Sequence, residues 1–188
     1  MEISLIRHGK SLWTVNNPIT CKEFKDWIEN YDCNGVYEEN SYPPETIKTI
    51  SNAKVVITSD LKRSIDSARY LNPNIKTISD PLFREIEFPI PPTKLWGVKL
   101  NPNTWAVFLR CLWFSGYSSG CESLNDAKNR AKKASKRLVV NAKENDVAVL
   151  VGHGFFNMMI AKELQKLGWI GYRKISSKHW HSTTYSFK

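Results

Sequence analysis

Two apolar runs in this chain end in the same way. "LIRHG" covers Leu5 to Gly9 and "LVGHG" covers Leu150 to Gly154, so each run delivers a histidine followed by a glycine. A third run ends as "VITSDLKR", Val56 to Arg63. If the three are neighbouring parallel strands, Arg7, His8, Ser59, Arg63 and His153 gather beyond the carboxyl ends of the strands, where open parallel sheets hold their ligands. Two guanidiniums, two imidazoles and the free amides of a following helix make a pocket for a tetrahedral oxyanion. Arginine's planar fork suits phosphate oxygens, and desolvated cations need an anionic partner. Phosphate is the partner these residues ask for.

The elements that must position them can be read from periodicity. Ile3 to Ile6, Val55 to Ile57 and Val147 to Val151 are continuous apolar runs rich in β-branched residues, as buried parallel strands are. Helices separate them. Phe24, Trp27, Ile28 and Tyr31 recur at helical spacing behind a capping box of Thr20 and Glu23. Leu124, Ala127, Ala131, Ala134, Leu138 and Ala142 form one face of a long helix capped by Ser123 with Asp126. Leu61, Ile65, Ala68 and Leu71 predict a helix from about Ser59, and Phe156, Met159, Ile160, Leu164 and Leu167 predict one after Gly154. This alternation predicts an α/β three-layer sandwich around a mostly parallel central sheet, with "HSTTYSF" as the last strand. Proline breaks the rhythm in "PLFREIEFPIPPTKLWGVKLNPN", which reads as an excursion or lid over about 81–117 that enters an apolar helix at about Thr104 to Phe114.

Composition narrows the class. The chain has 188 residues, enough for one good core, and a single domain over 1–188 is expected. Its 27 Lys plus Arg against 18 Asp plus Glu give a net charge of +9, which favours anionic partners without choosing among them. Cys21, Cys33, Cys111 and Cys121 show neither CxxC pairing nor metal-ligand spacing, and the chain opens directly into "EISLI", so a cytoplasmic location without disulfides or metal is expected. The longest apolar stretch, "WAVFLRCLWF", is too short for the roughly 18 to 20 residues of a membrane span and carries Arg110, so no membrane partner is expected.

Five pieces in order, "LIRHGKS", "SDLKRSIDSARYL", "FREIEF", "GCESLNDAKNRA" and "VLVGHG", resemble the histidine phosphatase superfamily, the phosphoglycerate mutase-like group, over nearly the whole chain. The resemblance implies that His8 is the nucleophile that takes the phosphoryl group, and that Arg7, Arg63 and His153 clamp the phosphate. It further implies that Glu85 is the proton donor and that Glu122 is an acidic position of the phosphate pocket, with no cofactor and no metal. The physics of such a site agrees: cations beside His8 favour its neutral, nucleophilic form and neutralise charge on the phosphoryl oxygens. Phe83, Phe88 and Trp96 supply apolar surroundings for Glu85, and Glu87, two residues on, is the alternative donor. Thr14 stands where many members have an asparagine, with Asn16 or Asn17 as substitutes, and Pro89 replaces a usual glycine.

The implied function is a metal-independent phosphomonoester phosphatase acting on a small phosphorylated substrate. A phosphomutase is the alternative within the family, disfavoured by chain length. A phosphate- or nucleic-acid-binding protein without turnover is the alternative outside it. Its support is the cationic helix with Lys128, Arg130, Lys132, Lys133, Lys136, Arg137 and Lys143, but these surround the helix without a stacking platform and read as a solvated face. Taken singly, Arg63 could pair with Asp60 or Asp66, Glu122 could simply support a helix start, and His179 and His181 in "HWH" read as ordinary edge-strand or loop residues.

Overall fold

A computed structural model describes residues 1–92, 95, 97–172 and 175–187. Strands β1 (Glu2–Arg7), β3 (Val55–Thr58), β4 (Lys76–Ser79) and β6 (Val147–Gly152) are parallel, while β8 (Ser182–Ser186) and β7 (Ile170–Gly171) run antiparallel at one edge. Their order is β4-β3-β6-β1-β8-β7. The centre is parallel because its strands are apolar on both faces and need cover on both. Ile3, Leu5, Ile57 and Leu150 pack toward helices α5 (Leu124–Asn145) and α6 (Gly154–Lys166), whereas Ile6, Val56, Val149 and Val151 pack toward α2 (Pro44–Ser51) and α3 (Lys62–Leu71). This is the three-layer α/β sandwich expected.

The predicted capping box of Thr20 with Glu23 forms at the start of α1 (Cys21–Cys33), and the predicted cap of Ser123 with Asp126 at the start of α5 is also a capping box. The alanine stripe of α5 is wholly buried, so its small side chains let the helix approach the sheet closely. Three elements differ from expectation. Helix α3 starts at Lys62, because Ser59 to Leu61 are spent on a loop in which the Ser59 amide donates to Ser64 Oγ. Helix α2 opens on Pro44 at its first turn, where proline's fixed φ and missing N–H cost nothing. Strand β4 is exposed throughout its polar "KTIS" and carries no apolar signature.

The proline-rich excursion does not cover the sheet alone. Its helix α4 (Pro102–Phe114) begins two residues earlier than expected and packs on α1 around Cys21, Phe24, Trp105 and Leu109. Strands β2 (Ile19–Thr20) and β5 (Lys99–Leu100) pair beside them, and the Trp105 indole donates to the Ile19 carbonyl at 2.8 Å. A second wall thus stands over the strand ends.

One contact fixes the turn after β1. A Cβ on Gly9 would lie 2.0 Å from the ring of buried Trp180, whose backbone N–H donates to the Arg7 carbonyl. Gly9→Ala should therefore displace Trp180 and cost about 1 to 3 kcal/mol of overpacking, read as a lower midpoint in urea unfolding with an unchanged slope.

Candidate active site

Register places the chemistry. Arg7 pairs with Gly152 and Thr58 with Val151, so His8 and His153 leave adjacent strands at the same level, and Ser59 leaves the third strand one residue behind them. His8, Ser59, Arg63 and His153 are all buried. The imidazoles of His8 and His153 lie 5.1 Å apart between centroids. The residues expected to converge do so.

Each ring is oriented by a bond on its far side. His8 Nδ1 lies 2.7 Å from the Gly9 carbonyl, which can only accept, so Nδ1 carries the hydrogen and Nε2 of the neutral ring carries the lone pair. His153 Nε2 lies 2.7 Å from Ser59 Oγ, and its Nδ1 is buried without a partner. Burial foremost, and then the Arg63 guanidinium, hold both histidines well below the usual imidazole range. Both are neutral bases near neutral pH.

The guanidiniums are anchored at one end and free at the other. Arg7 donates from Nη1 to the Ser177 carbonyl, and Arg63 donates from Nη1 to Asp32 at 2.6 Å while lying 4.6 Å from the Tyr31 ring centre. The Nε atoms of both are buried and unpaired. With His153 Nδ1 they make three buried nitrogens without partners around His8. Buried polar atoms are ordinarily satisfied, so this cluster has the shape of an anion's binding shell. Asp60 and Asp66 do not hold Arg63: Asp60 pairs with Arg84 at 2.5 Å, and the partner is Asp32 from α1. A contact across 31 residues leaves no local trace in sequence.

Glu85 sits at the start of α6. Its carboxylate accepts from the amides of Phe155 (3.1 Å), Phe156 (2.9 Å) and Ile86 (3.0 Å), so it caps the helix whose first residue, Gly154, lies against Arg7. Arg110 of α4 holds the segment from behind by donating to the carbonyls of Ile86 and Glu87, with its guanidinium 4.4 Å from the Phe88 ring centre and 4.8 Å from that of Phe155. Sequence reasoning saw Arg110 only as a charge in an apolar stretch. Glu87 is exposed on the same cavity wall. Phe83 is in the main core and Phe88 lines the cavity, while Trp96 lies outside the described residues.

Two other sites depart from expectation. The Glu122 carboxylate is engaged by Arg130, whose Nε donates to it at 3.0 Å and whose Nη1 donates to the carbonyls of Leu82 and Arg84. It ties α5 to the Glu85 segment, and Arg130 is turned inward, away from the solvated face to which the helix cations were assigned. His179 is no ordinary loop residue: its Nδ1 donates to the His8 carbonyl at 2.8 Å, and the two rings are 5.5 Å apart. Thr14, Asn16 and Asn17 are exposed and do not line the cavity.

The site opens into a cavity of about 1550 Å³, walled by α1, α4, the Glu85 segment and α6, and reaching Arg7, His8 and Arg63 at its floor. Among the described residues no helix is long and apolar enough to cross a membrane.

The family model of the histidine phosphatase superfamily (branch 1) matches residues 44–188, and the chain belongs to that superfamily. The match begins after β1, so His8 enters through strand pairing with β6. No curated protein matches. Among solved structures, a phosphoserine phosphatase from Entamoeba histolytica, crystallised as a mutant with phosphoserine, aligns over 100% of this chain and 91% of its own at 17% identity and a TM-score of 0.59. A mycobacterial glucosyl-3-phosphoglycerate phosphatase aligns over 88% and 82% at 19% identity and a TM-score of 0.56. An alpha-ribazole phosphatase from Shigella flexneri aligns over 87% and 79% at 16% identity and a TM-score of 0.52. At these identities the likeness establishes a phosphoglycerate mutase-like fold.

The buried histidines link stability to pH. Both have folded-state pKa values below the unfolded value of about 6.5, so in the window beneath it the unfolded chain binds more protons. Stability should be constant above about pH 7.5 and fall as pH drops through 6.5, by up to roughly 2.7 kcal/mol per pH unit for two protons. Urea unfolding at pH 7.5, 6.0 and 5.0 measures this, and a flat profile would mean that the rings are not buried as neutral bases.

Proposed function

We propose that the protein is a metal-independent phosphomonoester phosphatase that works through a phosphohistidine on His8. The observation that carries the reading is the fixed tautomer of His8: the Gly9 carbonyl holds the Nδ1 hydrogen and leaves Nε2 as the lone-pair donor beside two half-free arginines. Nε2 attacks phosphorus, an N–P bond forms, and the ester P–O bond breaks toward the leaving alcohol. Arg7 and Arg63 take the charge on the equatorial oxygens, where fixed donors stabilise the transition state more than the ground state. Glu85 gives its proton to the leaving oxygen and then receives one from the water that attacks phosphorus. The N–P electron pair returns to Nε2 and inorganic phosphate leaves.

His153 acts as a donor in this reading. Ser59 Oγ accepts from the Leu61 amide at 3.3 Å, and His153 Nε2 is its other partner among the described residues; assigning the hydroxyl hydrogen to Nε2 satisfies it and places the imidazole hydrogen on Nδ1, toward the phosphoryl oxygens. Ser59 is a positioning residue that sets the tautomer. Ser59→Ala should lower kcat by about 10-fold or more with a smaller change in KM, whereas Ser59→Thr, which keeps the hydroxyl, should recover most of the rate. Equal losses in both variants would assign Ser59 to packing alone.

The primary test is hydrolysis of para-nitrophenyl phosphate from acidic to neutral pH in excess chelator. Wild type should remain active and His8→Ala should lose at least about 10³-fold, with acid-labile radiolabel retained on the wild-type protein after quenching with labelled substrate. Chelator-sensitive turnover that is indifferent to His8 would overturn the mechanism. Phosphate binding without any turnover would favour the non-catalytic binding alternative.

A further inference from the structure

We infer that the alcohol part of the substrate is an aromatic ring system rather than a small hydrophilic group, a specificity that rests on the phosphatase reading of the same site. Phe24, Trp27 and Tyr31 of α1 form a continuous row: Phe24 and Trp27 are stacked with centroids 6.0 Å apart, and Trp27 and Tyr31 are stacked at 5.3 Å. The row ends at the phosphate clamp, because the Tyr31 ring lies under the Arg63 guanidinium. Phe24 itself is buried in the contact of α1 with α4, so the aromatic faces open to a ligand are those of Trp27 and Tyr31, which span four residues or about 6 Å of helix away from the clamp. Phe88, Val107, Phe114, Phe155 and Met158 face the same cavity from α4, the Glu85 segment and α6.

Size and exposure agree with an apolar occupant. The cavity, at about 1550 Å³, exceeds the roughly 300 to 1,000 Å³ of ordinary small-ligand pockets and far exceeds what a three-carbon ester fills. Val107 is 66% exposed and Phe114 51% exposed at its wall, and apolar side chains so placed beside a charged clamp gain from covering by a flat apolar group. The charged residues of the lining on α1 and α6 are Lys22, Lys25 and Lys162 with Glu29 and Asp32; Asp32 is taken up by Arg63 and Glu29 lies 4.0 Å from Lys25, and the lysines stand at exposed positions, where they leave the apolar wall uncovered.

The test compares 2-naphthyl phosphate with glycerol 3-phosphate, by calorimetric binding to His8→Ala and by kcat/KM for the wild type. The naphthyl ester should bind at least about tenfold tighter and be favoured by at least that factor in kcat/KM. Val107→Asp and Phe114→Ser alter exposed positions, so the fold persists, and each should shrink the naphthyl-to-glycerol ratio several-fold. Equal affinities, or a ratio that both substitutions leave in place, would overturn the inference. Hydrolysis that depends on His8 but shows no preference would leave the phosphatase reading standing and this one refuted. Preferential binding of the naphthyl ester without any hydrolysis would do the reverse.

Discussion

The structure depends on one electrostatic constraint: four nitrogen-bearing side chains, the buried His8, Arg63 and His153 and the half-buried Arg7, share one volume at the carboxyl ends of three strands. Two of them carry permanent charge, and removing charge from water is costly unless partners are supplied. The protein supplies half of those partners. Asp32 and the Ser177 carbonyl each take one edge of an arginine, the Gly9 carbonyl and Ser59 each take one nitrogen of a histidine, and the opposite edges are left over. A site completed from its own sequence would bind nothing, and one with no internal partners would not fold. Division of each side chain into an anchored edge and a free edge resolves that conflict.

Anchoring draws on most of the fold. The sheet register sets the level of His8, His153 and Ser59, while helix α1 reaches over to hold Arg63 through Asp32 and Tyr31. The segment after β7 returns to give Ser177 to Arg7 and His179 to the His8 carbonyl. Behind the acidic segment, Arg110 and Arg130 donate to carbonyls on either side of Glu85, so two guanidiniums from different helices fix a stretch that has no secondary structure of its own. This explains why proline at position 89 is tolerated: the path is held by side chains rather than by a backbone ladder.

Legibility in the sequence follows the range of the forces involved. The strands, the capping boxes and the alanine stripe of α5 are local patterns and could be read directly, as could the strand-end residues His8, Ser59, Arg63 and His153. Asp32, Arg110 and His179 could not. Each acts on a partner distant in sequence, and its residue type has a commoner explanation, as a surface acid, a stray charge in an apolar helix or a loop imidazole. Glu122 lines the cavity and has a partner of its own. Its place in the "GCES" piece suggested the phosphate pocket, yet a carboxylate flanked by a guanidinium eight residues along the chain finds its energy there, in a pair whose partner also grips the acidic segment. Strand β4 was missed because an edge strand needs no apolar face, and "KTIS" offers none.

Glu85 joins the two halves of the reading. Its carboxylate takes the amides of Phe155 and Phe156 at the start of α6, the helix that His153 precedes and whose first residue, Gly154, lies against Arg7. A helix N-terminus favours anions, and under the proposed phosphatase reading a phosphoryl dianion flanked by two guanidiniums competes with that carboxylate for the same amides. Under that reading a carboxylate freed from its cap first takes up a proton from solvent, and then has one to give to the leaving oxygen. The helix cap that is observed and the acid–base group that is proposed are then one carboxyl group in two positions, with the charge of the substrate choosing between them.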